Sequence, residues 1–255
     1  MRVSVLGAGR IAKAVLGQLT PSTTIRVLVW ARRHSALDGI QRQFRCSTTQ
    51  ELSLALSADA VVLALPEDAV RDLFSHSHSW PTEPPVVVSL VAALDLATLS
   101  SLLNTQAVIR VICSPALARG DSHVLATSSF SVESEATSFL SRLFPRTQVL
   151  YLNEEEMPAA TIFFCSVGLL AYFLQQMHTL ATDAGLRDSS AAALVRILPH
   201  ELNALGELTG YDFGAAHRLC ATPKGIVENL TTALQDSDFQ ENLRRTVWAY
   251  SSKAR

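Results

Sequence analysis

Near the start of the chain, Val3-Ser4-Val5-Leu6 runs directly into Gly7-Ala8-Gly9-Arg10-Ile11-Ala12. A strand, then G-x-G-x-x-A, then a helix suits one kind of chemistry, the holding of a pyrophosphate. Gly7 permits the tight turn, Gly9 lets phosphates approach the backbone, and Ala12 lets the helix pack closely on the strand. The free N–H groups at Arg10 and Ile11, at the positive end of the helix dipole, would then meet the anion. A glycine-rich turn with no ligand is the plainer alternative. The next strand ends Trp30-Ala31-Arg32-Arg33-His34, with no carboxylate to accept ribose hydroxyls. Arg32 and Arg33 can instead pair with a 2′-phosphate, which favours NADPH over NADH. The alternative is two solvated arginines at a helix start. Leu65-Pro66 and Val91-Ala92 close the following strands, where the nicotinamide half would lie.

Groups for acid–base or metal chemistry are sparse. His76 and His78 alternate as in an extended segment, but no third ligand accompanies them and no metal site is expected. His178 and His200 fall in helical segments and read as satisfied or surface histidines. The lysines are Lys13, Lys224 and Lys253, so none lies on the long helix expected over Thr161 to Thr182. Lys224 stands in Thr222-Pro223-Lys224-Gly225-Ile226, which reads as a helix start with Thr at the N-cap and Pro at the first helical position. Exposed N–H groups and Lys224 would suit a small carboxylate. A well-capped helix with a solvated lysine is an equal reading.

The elements needed to position these residues are visible as periodicity. Arg2 to Leu6, Ile25 to Trp30, Ala60 to Leu65, Val86 to Leu90 and Val108 to Cys113 are strand candidates separated by helical segments, which predicts a parallel sheet with helices on both faces. Ile11, Val15 and Leu19 give the first helix its apolar stripe. After Tyr151 the β-branched runs stop and helices follow, so the chain divides into a dinucleotide-binding domain, 1–152, and an all-α domain, 153–255. Gly185 ends the long helix as a left-handed residue. Leu194, Leu198, Leu202 and Leu205 mark a second helix, kinked at Pro199. Ile226, Leu230 and Leu234, then Phe239, Leu243, Val247 and Tyr250, mark two more.

Composition narrows the partners. In 255 residues, 48% are apolar and 17% charged, with 21 Lys+Arg against 23 Asp+Glu. This is a core-rich globular composition, and a net charge of −2 lacks the basic field that nucleic-acid binding needs. A mean hydropathy of +0.23 with so few charges predicts apolar surface buried between subunits. The apolar run Ile162 to Leu174 is shorter than the roughly 20 residues of a membrane helix and reads as a buried helix. Cys46, Cys113, Cys165 and Cys220 are widely spaced, as free thiols in a reducing compartment would be. With no signal-peptide pattern, the expectation is a cytoplasmic protein with no membrane partner.

Read end to end, the chain resembles the pyrroline-5-carboxylate reductases. Gly7-Ala8-Gly9-Arg10-Ile11-Ala12 is similar to that family's G-A-G-N-M-A, Ala58-Asp59-Ala60-Val61-Val62-Leu63-Ala64 to its A-D-V-V-x-L-A-V, and Val88-Ser89-Leu90-Val91-Ala92-Ala93 to its S-I-A-A-G. Ser114-Pro115-Ala116-Leu117 matches T-P-A-L, Glu156-Met157-Pro158-Ala159-Ala160-Thr161 matches Q-M-D-A-V-T, and Thr222-Pro223-Lys224-Gly225 takes the place of S-P-G-G. Leu234 and Phe239 match the L and F of its closing L-x-x-G-G-F.

The resemblance implies a Rossmann domain and a helical domain that interlocks with a second subunit to make a homodimer or higher oligomer. It also implies a substrate pocket at their junction and NADPH-dependent reduction of a cyclic imine to proline. It places Ser166, Thr222, Lys224 and Gly225 against the substrate, with Thr222 and Lys224 in the catalytic loop. This chain departs from the family there. Ile226 and Val227 replace two threonines, Cys113 replaces an Asn, and Arg10 replaces the Asn of the glycine turn. Two lost hydroxyls, each worth about 1–3 kcal/mol when a partner is left unsatisfied, leave a different imine, or a non-catalytic NADP(H)-binding regulator, as alternatives. The 3-hydroxyacid dehydrogenases share the two-domain plan but carry a catalytic lysine on the interdomain helix, which is absent here.

Overall fold

Alternation of buried side chains along short β-branched runs builds a twisted sheet whose two faces are covered by different helices. The computed structural model describes residues 1–20, 22, 24–75, 80, 84–130 and 133–251, without the side chains of 133, 134, 250 and 251. The chain forms two compact units, Met1–Thr161 and Ile162–Arg255, so the division falls somewhat later than residues 152–153.

In the first unit the strands are β1 (Arg2–Leu6), β2 (Arg26–Trp30), β3 (Ser47–Thr49), β4 (Ala60–Leu63), β5 (Val86–Ser89), β6 (Val108–Cys113), β7 (His123–Ser128) and β8 (Gln148–Tyr151). They lie in the order β3-β2-β1-β4-β5-β6-β7-β8. The helices are α1 (Arg10–Leu19), α2 (His34–Gln43), α3 (Leu52–Leu56), α4 (Glu67–Phe74), α5 (Leu96–Leu103) and α6 (Glu133–Leu143).

The period of two is plain in β4. Ala60 and Val62 join a core with Val15, Leu16, Ile40 and Leu140 of α1, α2 and α6. Val61 and Leu63 join a second core with Leu56, Val70, Leu99 and Leu103 of α3, α4 and α5. This is the doubly wound α/β arrangement that the alternation predicts.

The strands predicted from sequence are present, slightly shorter at some ends. β3, β7 and β8 were not expected, and neither was the antiparallel pairing of β6 with β7. The link between those two carries only a 3₁₀ turn, Pro115–Arg119, closed by Gly120 at φ +87°. A parallel return needs a crossover of about a dozen residues or more, so the chain doubles back.

The expected single helix over Thr161 to Thr182 is instead α7 (Met157–Cys165) and α8 (Val167–Asp183). The Ser166 hydroxyl turns back onto the Phe163 carbonyl at the break. Gly185 does close α8 at φ +98°, with the Leu186 N–H reaching the Ala181 carbonyl. Pro199 lies inside α9 (Asp188–Leu208), which continues through it; α10 (Phe213–Cys220), α11 (Ile226–Gln235) and α12 (Phe239–Ser251) follow.

The apolar-run expectation also needs correction. Met157–Asp183, a span of 27 residues holding an 18-residue window of mean hydropathy 1.9, is long and apolar enough to cross a membrane by length and composition. The run Ile162 to Leu174 leaves out Met157 to Thr161, which lie ahead of it in the same helical span. Nor is α8 a buried helix within this chain, since it has no buried residue. In the second unit α8 and α10 pack on α9, and α11 packs on α12, yet large apolar side chains stay exposed, Phe163 at 65% and Ile226 at 78%.

Candidate nucleotide site

The loop after β1 is shaped by Gly7. Its φ is +121°, and a Cβ there would lie 2.3 Å from the Ala64 carbonyl oxygen, so no other residue fits without moving backbone. The Gly7 N–H donates to the Trp30 carbonyl at 2.9 Å, fastening the turn to the end of β2. Gly9, the N-cap of α1, is extended, and nothing lies within 4 Å of where its Cβ would be. The space in front of it is open. No side chain caps α1 and its first turn holds no acid, so the N–H groups at Arg10 and Ile11 remain available to an external anion. Ala12 is fully buried between helix and sheet.

β1 lies between β2 and β4, both parallel to it, and the chain order reverses there. This switch point is where ligands settle in open α/β sheets. The carboxyl ends of β2, β1, β4 and β5 bring Arg32 and Arg33, Gly7 to Ile11, Leu65 and Pro66, and Ala92 into one row. Arg33 is the N-cap of α2, and Arg32 has only a loose ion pair, 3.8 Å to Asp72, with both side chains mostly exposed. Such a pair contributes little and can give way to a phosphate. Leu65 is half-buried and Pro66 begins α4 as its N-cap.

The sequence reading missed Arg110 and Glu154. Arg110, in the middle of β6, is 3% exposed. Its Nη1 donates to Glu154 Oε1 at 2.6 Å and its Nη2 to the Ala92 carbonyl at 2.7 Å. Glu154 Oε1 also accepts the Leu96 N–H at 3.1 Å. Asp95, between these anchors, caps α5 by accepting from Thr98 N–H at 2.7 Å. Hydrogen bonds from the Thr98 side chain and backbone hold the Asp95 carboxyl below its ordinary range, opposed by partial burial. The signal was present as a lone cation in the apolar strand Val108-Ile109-Arg110-Val111-Ile112.

In the second unit the expected helix start at Pro223 is corrected. The N-cap of α11 is Gly225, not Thr222, and Thr222 to Lys224 form a turn ahead of it. Lys224 adopts φ +59°, and its N–H donates to Glu228 Oε2. The left-handed backbone at Lys224 takes the residue out of helical geometry, so the Thr-Pro pair cannot act as cap and first turn. Gly225 is held against Thr222, whose Oγ1 would lie 2.3 Å from an added Cβ. Thr222, Lys224 and Gly225 therefore share one turn, while Ser166 lies at the α7–α8 break with its hydroxyl bonded to its own helix.

His178 faces Asp188 at 3.3 Å and His200 is exposed beside Glu201; His76 and His78 lie outside the described residues. Among the described residues no group of three or more His, Cys, Asp or Glu could hold a metal. Cys46, Cys165 and Cys220 are free thiols, and burial raises the thiol pKa of Cys46 and Cys165.

Residues 2–93 match the family described as NADP oxidoreductase, coenzyme F420-dependent. The whole chain is similar in fold to pyrroline carboxylate reductase from Plasmodium falciparum, solved with NADP bound. The TM-score is 0.83 at 13% identity, over 100% of this chain and 97% of that one. The 1-pyrroline-5-carboxylate reductase of Streptococcus pyogenes gives 0.83 at 15% identity, over 100% and 98%. An imine reductase from Pseudomonas sp. gives 0.62 at 17% identity, over 84% of this chain and 78% of that chain. No match was found among curated proteins. The fold is thus that of the pyrroline-5-carboxylate reductases along the full length of the chain.

Proposed function

We propose that this chain is a divergent member of the pyrroline-5-carboxylate reductase family, an NADPH-dependent oxidoreductase that reduces the C=N bond of a cyclic imine. The observation that carries the reading is the β1–α1 turn, where Gly7 can only be glycine and Gly9 faces open space at an uncapped helix start. In this reading the N–H groups of Arg10 and Ile11 hold the pyrophosphate and Arg32 and Arg33 hold a 2′-phosphate. Leu65, Pro66 and Ala92 border the nicotinamide. Bound NADPH would supply a hydride for an imine carbon. The chain's own task is then to orient and desolvate the reacting pair, which agrees with the scarcity of acid–base groups. NADP on the Plasmodium relative and the family matched over residues 2–93 support the cofactor.

The first substrate to test is 1-pyrroline-5-carboxylate, with Ser166, Thr222, Lys224 and Gly225 as substrate residues and Lys224 as the group that meets its carboxylate. A second reading, a more apolar imine without a carboxylate, is favoured by Ile226 and Val227 on α11 and by Glu228, whose own carboxylate already accepts the Lys224 N–H. The exposed apolar side chains of α7 to α12 are covered, in this account, by a second copy of the chain, giving a homodimer or a higher assembly. Free thiols at Cys46, Cys165 and Cys220 fit a reducing cytoplasm.

The test is NADPH oxidation with 1-pyrroline-5-carboxylate beside a panel of uncharged cyclic imines. Turnover of any of them supports the class, and the preferred member separates the two readings. Tight NADPH binding with no turnover would make the chain a dimeric regulator instead.

A further inference from the structure

The Arg110–Glu154 pair is an odd way to hold a fold together. Arg110 Nε and Glu154 Oε2 are buried with no hydrogen-bond partner among the described residues, and the guanidinium meets the carboxylate through one arm. Such a pair adds little to stability compared with apolar packing. It does fix both ends of one segment. Arg110 holds the Ala92 carbonyl and Glu154 holds the Leu96 N–H, with the two side chains bonded to each other.

The turn from Ala92 to Leu96 joins β5 to α5, and Ala92 itself is exposed at the carboxyl end of the sheet. From the buried pair and the exposed turn it clamps, we infer that Arg110 and Glu154 are positioning residues that hold this turn as a rigid wall beside the nicotinamide. The inference rests on the cofactor reading above. In it, neither Arg110 nor Glu154 needs to touch the ring. Both act through the Ala92 and Leu96 backbone, away from the Gly7–Gly9 turn and from Arg32, where the phosphates would be held.

That separation makes the pair testable with halves of the cofactor. Glu154→Gln keeps the shape and an acceptor for Leu96 but removes the charge. The side chain borders a cavity of about 400 Å³, so the amide is accommodated. Arg110→Met is the harsher variant and can fail to fold, in which case Glu154→Gln decides.

In the full-length protein, Glu154→Gln should bind 2′,5′-ADP, which lacks the nicotinamide, as wild type does within about twofold. NADPH binding should weaken about tenfold, a difference of about one decade in Kd, with a smaller gain in nicotinamide fluorescence. With an accepted substrate kcat should fall while the imine KM stays near wild type. Equal NADPH affinity and fluorescence in Glu154→Gln and wild type would overturn the inference while leaving the cofactor reading intact. Equal weakening of 2′,5′-ADP and NADPH would show a general structural role and would overturn it too. If wild type binds neither ligand, the cofactor reading fails, and the inference with it.

Discussion

Gly7 and Gly9 stand two positions apart and respond to the same substitution in different ways. A methyl at Gly7 meets the Ala64 carbonyl and a positive φ at once, so Gly7→Ala should destabilise the fold by roughly 3 kcal/mol or more, as overlap with backbone in a strained turn does. Urea unfolding measures it, and a loss under about 1 kcal/mol would show that the turn relaxes. At Gly9 the methyl meets nothing in the protein. Gly9→Ala should therefore keep the wild-type Tm yet lower NADPH affinity at least about tenfold by occupying the space a pyrophosphate needs. A variant that binds as wild type would remove Gly9 from the site. Beside them, Arg32→Asp with Arg33→Ala removes the partners for a 2′-phosphate and adds an acceptor for ribose hydroxyls. The ratio of kcat/KM for NADPH over NADH should fall by about tenfold or more, whereas an unchanged ratio would show both arginines to be solvated.

Among the elements, α5 carries a pH-dependent contribution through its cap. Asp95 accepts from Thr98, which lowers its carboxyl pKa in the folded state. The stabilisation is fully present above the unfolded carboxylate pKa of about 4 and is lost as pH falls through the lower folded value. Asp95→Ala should cost about 1 kcal/mol at neutral pH. Asp95→Asn should keep most of the cap and abolish its part of the acid dependence, as urea unfolding between neutral and acid pH would show. Equal acid sensitivity of Asn and wild type would contradict this.

Elements were legible where one signal dominated. Val3, Val5, Val27, Val29 and Val61 to Leu63 announced their strands, and Gly185 announced a helix end. Ser47-Thr48-Thr49 has too few apolar side chains to show a period, and the one-residue break at Ser166 leaves helical periodicity unchanged. Thr222-Pro223 looked like a helix start because the left-handed backbone of Lys224 is not encoded by residue type. The β1–α1 turn was readable since Gly7 is required locally. The Arg110–Glu154 pair was not, because it joins β6 to the segment after β8 and depends on sheet order.

For the whole molecule, the second unit's exposed apolar side chains are what the proposed second copy would cover. Phe163, Leu170, Tyr172 and Phe173 are all about half exposed or more on α7 and α8, far from how such residues settle in water. Light scattering without detergent should give a dimer or larger assembly, and Leu170→Glu with Phe173→Glu should shift it towards monomer. A wild-type monomer, or material that stays in solution only with detergent, would contradict a second copy as the cover and would favour the membrane-spanning character that Met157–Asp183 has by composition. Beneath these expectations lies a claim about the β1–α1 turn, and calorimetric titration of NADPH into the purified wild-type protein tests it most directly. Saturable binding at one nucleotide per chain is expected, with NADH weaker. Heat no different from dilution for both nucleotides would contradict it.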